Sequence, residues 1–65
     1  MNRWTISSRT GWQKTLRAET MTDALTDTYG PDRVAGFRWV EHNGAATIYD
    51  GRRVVATVIK ESVPA

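Results

Sequence analysis

Residues 34–61, VAGFRWVEHNGAATIYDGRRVVATVIKE, decide the fold. Three runs within this stretch are rich in β-branched and aromatic residues: 34–42, 45–49 and 53–61. The dipeptides that separate them are Asn43-Gly44 and Asp50-Gly51. Asn-Gly and Asp-Gly accept the positive φ angles of a type I′ turn, which joins antiparallel strands. The stretch therefore predicts a three-stranded antiparallel meander.

The first turn also predicts which residues face one another across the sheet. A two-residue loop at Asn43-Gly44 pairs Trp39 with Ile48, Arg38 with Tyr49, and Val40 with Thr47. One face of this hairpin then carries Phe37, Trp39 and Ile48, and it suits a core beneath a helix. The other face carries Arg38, Val40 and Tyr49.

One amphipathic helix precedes the meander. Apolar and small residues fall at i, i+3, i+4, i+7 and i+8: Met21, Ala24, Leu25, Thr28 and Tyr29. Thr20 followed by Asp23 resembles a capping box, and Gly30-Pro31 supplies the stop expected beyond a helix end. This pattern predicts a helix over residues 20–29.

The N-terminal residues predict a second hairpin, with two alternative loops. A three-residue loop, Arg9-Thr10-Gly11, with glycine in the left-handed region, aligns Trp4, Ile6, Trp12 and Leu16 on one face. A two-residue loop at Thr10-Gly11 would instead place Ile6 opposite Thr15 and split the apolar set. We favour the three-residue loop.

These elements predict an α+β fold in which a small antiparallel sheet packs on one α-helix. The sheet comprises an N-terminal β-hairpin and a C-terminal three-stranded meander, in the order β-β-α-β-β-β, within one domain over 1–65. Residues 62–65 are expected to be a frayed tail. The expected core residues are Trp4, Ile6, Trp12, Leu16, Met21, Ala24, Leu25, Tyr29, Phe37, Trp39, Ile48, Val55 and Ile59.

Composition narrows the class of protein. The chain has 65 residues, no cysteine and a formal net charge of +2. It therefore has neither disulfides nor thiolate metal sites, and the cytoplasm is the expected location. No apolar run has the length of a signal peptide or a membrane span, so we expect no membrane association. A chain this short suits an accessory or regulatory protein, such as those that phages and mobile elements encode.

The residues that could carry out chemistry do not form a catalytic set. The sole histidine, His42, adjoins a turn, and no serine lies at a strand-to-helix elbow. Asp23 and Asp27 share a helix face, but one convex face cannot surround a cation, and a solvated surface explains them. We therefore expect no enzyme activity, no cofactor, no metal and no small-molecule substrate.

The second face of the meander is the candidate binding surface. Arg38 lies beside Tyr49 in the predicted register, and the Asp50-Gly51 turn brings either Arg52 or Arg53 across from Tyr49, depending on loop length. An arginine on both sides of an exposed tyrosine could bind carboxylate or phosphate groups and stack on a ring. The alternative is that the arginine stems simply cover the tyrosine.

Two functions fit this surface. The first is a non-catalytic module that docks a protein partner, or a second copy of itself as a homodimer, through Arg38, Val40, Tyr49, Arg52 and Arg53. The second is a nucleic-acid-binding module that uses the same row, with Arg9, Lys14 and Arg17 on the phosphate backbone. We place protein docking first, because a net charge of +2 is low for binding by counterion release.

Overall fold

The computed structural model describes residues 2–61, which form one five-stranded antiparallel sheet and two helices. The elements in chain order are β1 (Asn2–Ser8), β2 (Gln13–Ala18), α1 (Met21–Tyr29), α2 (Pro31–Val34), β3 (Phe37–His42), β4 (Ala45–Asp50) and β5 (Arg53–Glu61). The strand order is β2-β1-β5-β4-β3. The predicted α+β class and element order are confirmed, and α2 is an additional single turn. The expected tail at 62–65 lies outside the described residues.

Local turn chemistry sets the register of the hairpin between β3 and β4. Asn43 and Gly44 both have positive φ angles, 49° and 76°. This geometry pairs Arg38 with Tyr49, as predicted. The adjacent pairs, Trp39 with Ile48 and Val40 with Thr47, are also confirmed.

The hairpin between β1 and β2 has the favoured three-residue loop. Its register pairs Ile6 with Lys14, and the backbone N–H of Ser8 donates to the carbonyl of Trp12 at 2.8 Å. Gly11 has a φ of 108°, which a residue with a side chain rarely adopts.

The turn between β4 and β5 differs from both predicted registers. Asp50 pairs with Arg53, so the loop consists of Gly51 and Arg52, and Val54 lies opposite Tyr49. The register then shifts by one residue between Tyr49 and Ile48, so that Ile48 pairs with Ala56. The prediction of Arg52 or Arg53 across from Tyr49 is therefore wrong. The loop begins one residue later than the Asp-Gly signal indicated, because Gly51 supplies the positive φ, 65°, at its first position.

The core lies between one face of the sheet and the two helices. The buried apolar residues form one cluster: Trp4, Ile6, Met21, Ala24, Leu25, Val34, Phe37, Ala46, Ile48, Ala56 and Val58. Leu16, Tyr29, Trp39 and Val55 pack against it while partly buried. Two expected core residues are exposed instead, Trp12 at 42% and Ile59 at 45%. Ile59 points to the opposite face because the pairing of β5 with β1 places Val58 on the core side, beside Ile6.

Helix α1 begins and ends as its sequence predicts. The side-chain oxygen of Thr20 accepts a hydrogen bond from the backbone N–H of Asp23 at 3.1 Å, and the N–H of Gly30 donates to the carbonyl of Thr26 at 2.8 Å. These bonds satisfy groups that a helix leaves without partners at its ends. Neither of the two helices in residues 2–61 has the length and apolar content needed to cross a membrane.

Replacing Thr20 with Ala tests the contribution of the cap. Loss of the side-chain acceptor should lower the free energy of unfolding by about 1 kcal/mol, measured by urea denaturation. Thr22→Ala is the matched control, because Thr22 lies exposed in the same helix and Ala has the higher helix propensity. Equal destabilisation by the two substitutions would contradict a capping role for Thr20.

Candidate functional site

The face of the sheet opposite the helices is uncovered by any other element in residues 2–61. We call it the open face. Strand pairing arranges its side chains in rows that run across the strands. One central row contains Val40, Thr47, Thr57, Ser7 and Gln13, and the next contains Ala45, Ile59, Thr5 and Thr15, with His42 at its end.

The two central rows contain no Asp, Glu, Lys or Arg. Two of their apolar side chains are strongly exposed, Val40 at 54% and Ile59 at 45%. Thr5 is buried, and its hydroxyl lies 3.2 Å from that of Thr15. The centre of the open face is therefore a flat patch of threonine and aliphatic side chains.

Charged residues occupy the outer rows of the open face. At one end, Arg3 pairs with Glu61 on one side and lies beside Arg17 on the other, and the Arg3 Nε lies 2.9 Å from the Glu61 carboxylate. At the other end, the Arg38 guanidinium lies 5.6 Å from the centre of the Tyr49 ring. Arg17 in β2 and Arg38 in β3 thus stand at diagonally opposite corners.

The structure divides the predicted site residues between two regions. Arg38, Val40 and Tyr49 lie together on the open face, as predicted, and Arg17 is on the same face but distant from them. Arg52 lies in the exposed turn before β5. Arg9, Lys14 and Arg53 lie elsewhere, around a groove at the side of the helices.

This groove has a volume of about 700 Å³, and we call it the basic groove. Its charged lining residues are Arg9, Lys14, Arg33, Arg53 and Asp50. Its other lining residues are Ser8, Thr10, Trp12, Thr28, Tyr29, Val54 and Val55. Four cationic side chains and one carboxylate therefore border a single depression. The Lys14 amine is also 3.7 Å from the carboxylate of Asp27, in an exposed ion pair.

Aromatic rings form one wall of the basic groove. Trp12 and Tyr29 line the groove with their ring centres 5.9 Å apart, and the buried Phe37 ring meets Tyr29 edge-on at 5.3 Å. The Arg33 guanidinium lies 5.3 Å from the centre of the Tyr29 ring, within range of a cation–π interaction. Sequence reasoning missed Arg33 as a site residue because it lies on α2, which the pattern did not predict.

The Tyr29 hydroxyl oxygen is buried and has no hydrogen-bond partner within residues 2–61. Burial raises the pKa of this phenol above its ordinary value of 10.0, while the nearby Arg33 charge acts in the opposite direction. The ring is thus positioned by packing rather than by a bond to its hydroxyl.

A smaller pocket, of about 360 Å³, lies near the turn between β3 and β4. His42, Glu41, Trp4 and Lys60 are among its lining residues. No group of three His, Asp or Glu side chains in the described part of the chain is arranged to hold a metal ion. His42 is exposed, as expected for a residue beside a turn.

Comparison with known proteins identifies no relative. No family model matches the chain, and neither a curated protein nor a solved structure matches it.

Replacing Tyr29 with Phe tests the unpartnered hydroxyl. Its removal leaves the ring packing intact and eliminates a buried group without a partner, so the free energy of unfolding should stay constant or rise by about 1 kcal/mol. Urea denaturation at neutral pH measures the difference. A clear loss of stability would show that the hydroxyl has a partner in solution.

The raised pKa of Tyr29 also predicts how stability responds to alkali. Above the ordinary value of 10.0 the unfolded chain releases the phenol proton before the folded protein does. Stability is therefore unaffected by this group at lower pH and falls as the pH rises through the folded pKa. Denaturation at successive pH values should show a smaller alkaline loss for Tyr29→Phe than for the wild type. Equal losses would contradict the raised pKa.

Proposed function

We propose that this chain is a non-catalytic binding module whose docking surface is the open face, and that a second copy of the chain is the partner. The observation that supports the proposal is the charge pattern of that face. Its two central rows lack charged side chains, whereas arginines stand only in the outer rows.

This pattern is typical of protein interfaces. Their buried centres are depleted in charged residues, and their rims are polar and solvated. A sheet face that remains in water more often carries lysine and glutamate, which also prevent unwanted association. Here exposed Ile59 lies on the central strand, exposed Val40 lies in a central row on the edge strand β3, and Tyr49 stands beside Arg38 in an outer row. Burial of such side chains against another protein would stabilise the complex by the hydrophobic effect.

Symmetry favours a second copy as the occupant. A two-fold axis that crosses the strands between the two central rows would stack one uncharged row on the other. Arg17 and Arg38 stand at opposite corners, so neither would face an arginine of the other copy. An interface of this kind is isologous and closes on itself.

The size of the open face is adequate for such a dimer. Five strands spaced ~4.8 Å apart, with six-residue strands about 20 Å long, give a flat area of about 400 Å² before side-chain relief is added. The standard interface buries about 800 Å² of accessible surface on each partner, so the whole face with its side-chain relief would participate. A chain of this length buries only ~60% of its unfolded surface on folding, and dimerisation would add to its limited core.

Nucleic-acid binding on the open face is less well supported. Arg17 and Arg38 are far apart, and Arg3 is already paired with Glu61. The expected second arginine beside Tyr49 is replaced by Val54. Few phosphate contacts would remain, although such contacts provide most of the affinity for nucleic acid.

We retain the cytoplasm as the proposed location, which suits a chain without cysteine.

Val40→Glu tests self-association through the open face. We expect sedimentation equilibrium to show a dimer for the wild type and a monomer for the variant, because the new carboxylate would lose its hydration in the dimer. Ile59→Thr, which preserves a β-branched side chain, should weaken the dimer at least several-fold. Far-ultraviolet circular dichroism should show unchanged folding.

Thr22→Glu is the matched control, since it introduces the same charge at an exposed position of α1. It should remain dimeric. A wild-type protein that is monomeric at about 1 mM, where even a weak dimer would form, would refute the second copy as the occupant. A dimer that Val40→Glu leaves intact would place the interface elsewhere.

A further inference from the structure

We propose that the basic groove binds a short segment of single-stranded nucleic acid, with a base stacked on Trp12 and the flanking phosphates on the arginines. The site is separate from the centre of the open face. It comprises residues from the β1–β2 hairpin, both helices, the end of β4 and the start of β5, which the fold brings together.

The charge of the groove suits a polyanion. Arg9, Lys14, Arg33 and Arg53 outnumber the single carboxylate, Asp50, by three. Arginine binds phosphate through a planar set of donors that matches the geometry of its oxygens. The net charge of the whole chain is only +2, so the groove concentrates more positive charge than the molecule as a whole carries.

The backbone holds the charged wall in place. The N–H of Arg9 donates to the carbonyl of Val55 at 3.1 Å, which fixes the β1–β2 loop against β5. Arg53 lies two residues earlier on the same strand, and Arg33 is positioned by its contact with Tyr29. The guanidinium groups therefore extend from ordered elements on several sides of the groove.

The aromatic wall supplies the second part of the recognition. Trp12 is 42% exposed although it contacts Tyr29 at 5.9 Å, so its indole is held from one side and accessible to a ligand. Bases stack on such rings regardless of sequence, and proteins that bind single strands combine stacking with a basic groove. A duplex hides the faces of its bases, so the accessible indole favours a single strand.

The groove combines a cationic lining with an accessible indole. This combination favours a nucleic acid over an acidic or phosphorylated peptide as the occupant. A phosphoserine peptide would use the arginines but would leave the indole uncovered. The volume of about 700 Å³ lies within the range of ligand sites and can hold one or two nucleotides. Because Asp27 pairs with Lys14, we assign the principal phosphate contacts to the three arginines.

A fluorescein-labelled oligothymidylate of about ten nucleotides is the probe, with binding measured by fluorescence polarisation. We expect the wild type to bind, and its affinity to fall about tenfold or more between about 50 and about 200 mM salt, because three or more phosphates are neutralised. Trp12→Ala should weaken binding at least fivefold, whereas Trp12→Phe, which retains a ring, should recover most of the loss. Circular dichroism checks that each variant is folded.

Arg53→Ala and Arg52→Ala form a matched pair. The two arginines are adjacent in the chain and their substitution changes the net charge equally, but only Arg53 lines the groove. Arg53→Ala should lower affinity about threefold to tenfold, and Arg52→Ala less than twofold. Val40→Glu should not alter binding beyond the effect of its added charge, which Thr22→Glu measures, so failure of the dimer proposal can be distinguished from failure of this one.

Three results would overturn the inference. One is no binding of the oligothymidylate at about 50 mM salt, where electrostatic contacts are strongest. Another is equal weakening by Arg52→Ala and Arg53→Ala, which would indicate a diffuse charge effect. The third is displacement of the oligothymidylate by a phosphoserine peptide at lower concentration than by unlabelled oligothymidylate, which would assign the groove to phosphorylated protein.

Discussion

The antiparallel pairing of β1 with β5 is the contact on which the rest of the molecule depends. Its six residue pairs, from Arg3–Glu61 to Ser8–Ala56, join the two ends of the described chain. A separate hairpin is marginally stable in water, and a meander gains stability only with an apolar face to bury. Their union makes β5 central and brings Ile6 beside Val58 under the helices. The same pairing brings the carbonyl of Val55 within reach of the Arg9 N–H, so one set of backbone bonds creates both the core and the groove wall.

The two helices within residues 2–61 cover only one face of the sheet. Helix α1 has nine residues and α2 has four, enough to cover one side of five strands. All the buried apolar side chains of α1 and α2 belong to a single cluster with the sheet. The opposite face must therefore be compatible with contact to water, with contact to another protein, or with both. Threonine serves both conditions, because it has high β propensity and a hydroxyl that can bond to water or to a neighbouring hydroxyl, as Thr5 and Thr15 do.

Sequence reasoning succeeded where a short segment determines its own geometry. The caps of α1, the Asn43-Gly44 turn and the three-residue loop ending in Gly11 each depend on a few adjacent residues, and each was predicted correctly. It failed where apolar residues occur in both phases of a strand. In β5, residues 54–59 are all apolar or β-branched, so alternation could not distinguish Val58 from Ile59. The register shift beside Tyr49 and the pairing with β1 made that choice, and both are set by the tertiary structure. The Gly51-Arg52 loop, which begins one residue later than predicted, placed Val54 rather than an arginine opposite Tyr49.

The redistribution of the arginines changes what the overall charge means. The net charge of +2 is a sum over the whole molecule. The central rows of the open face carry no Asp, Glu, Lys or Arg, whereas four cationic side chains line the basic groove. Electrostatic binding depends on the local potential, which decays over about 10 Å at 0.1 M salt. Asp27 of α1 pairs with Lys14 at one side of the groove, whereas Arg9, Arg33 and Arg53 line it from other elements. Val54 borders both surfaces, since it pairs with Tyr49 and lines the groove. A partner on the open face would thus end where the basic groove begins, and the two surfaces could be occupied at the same time.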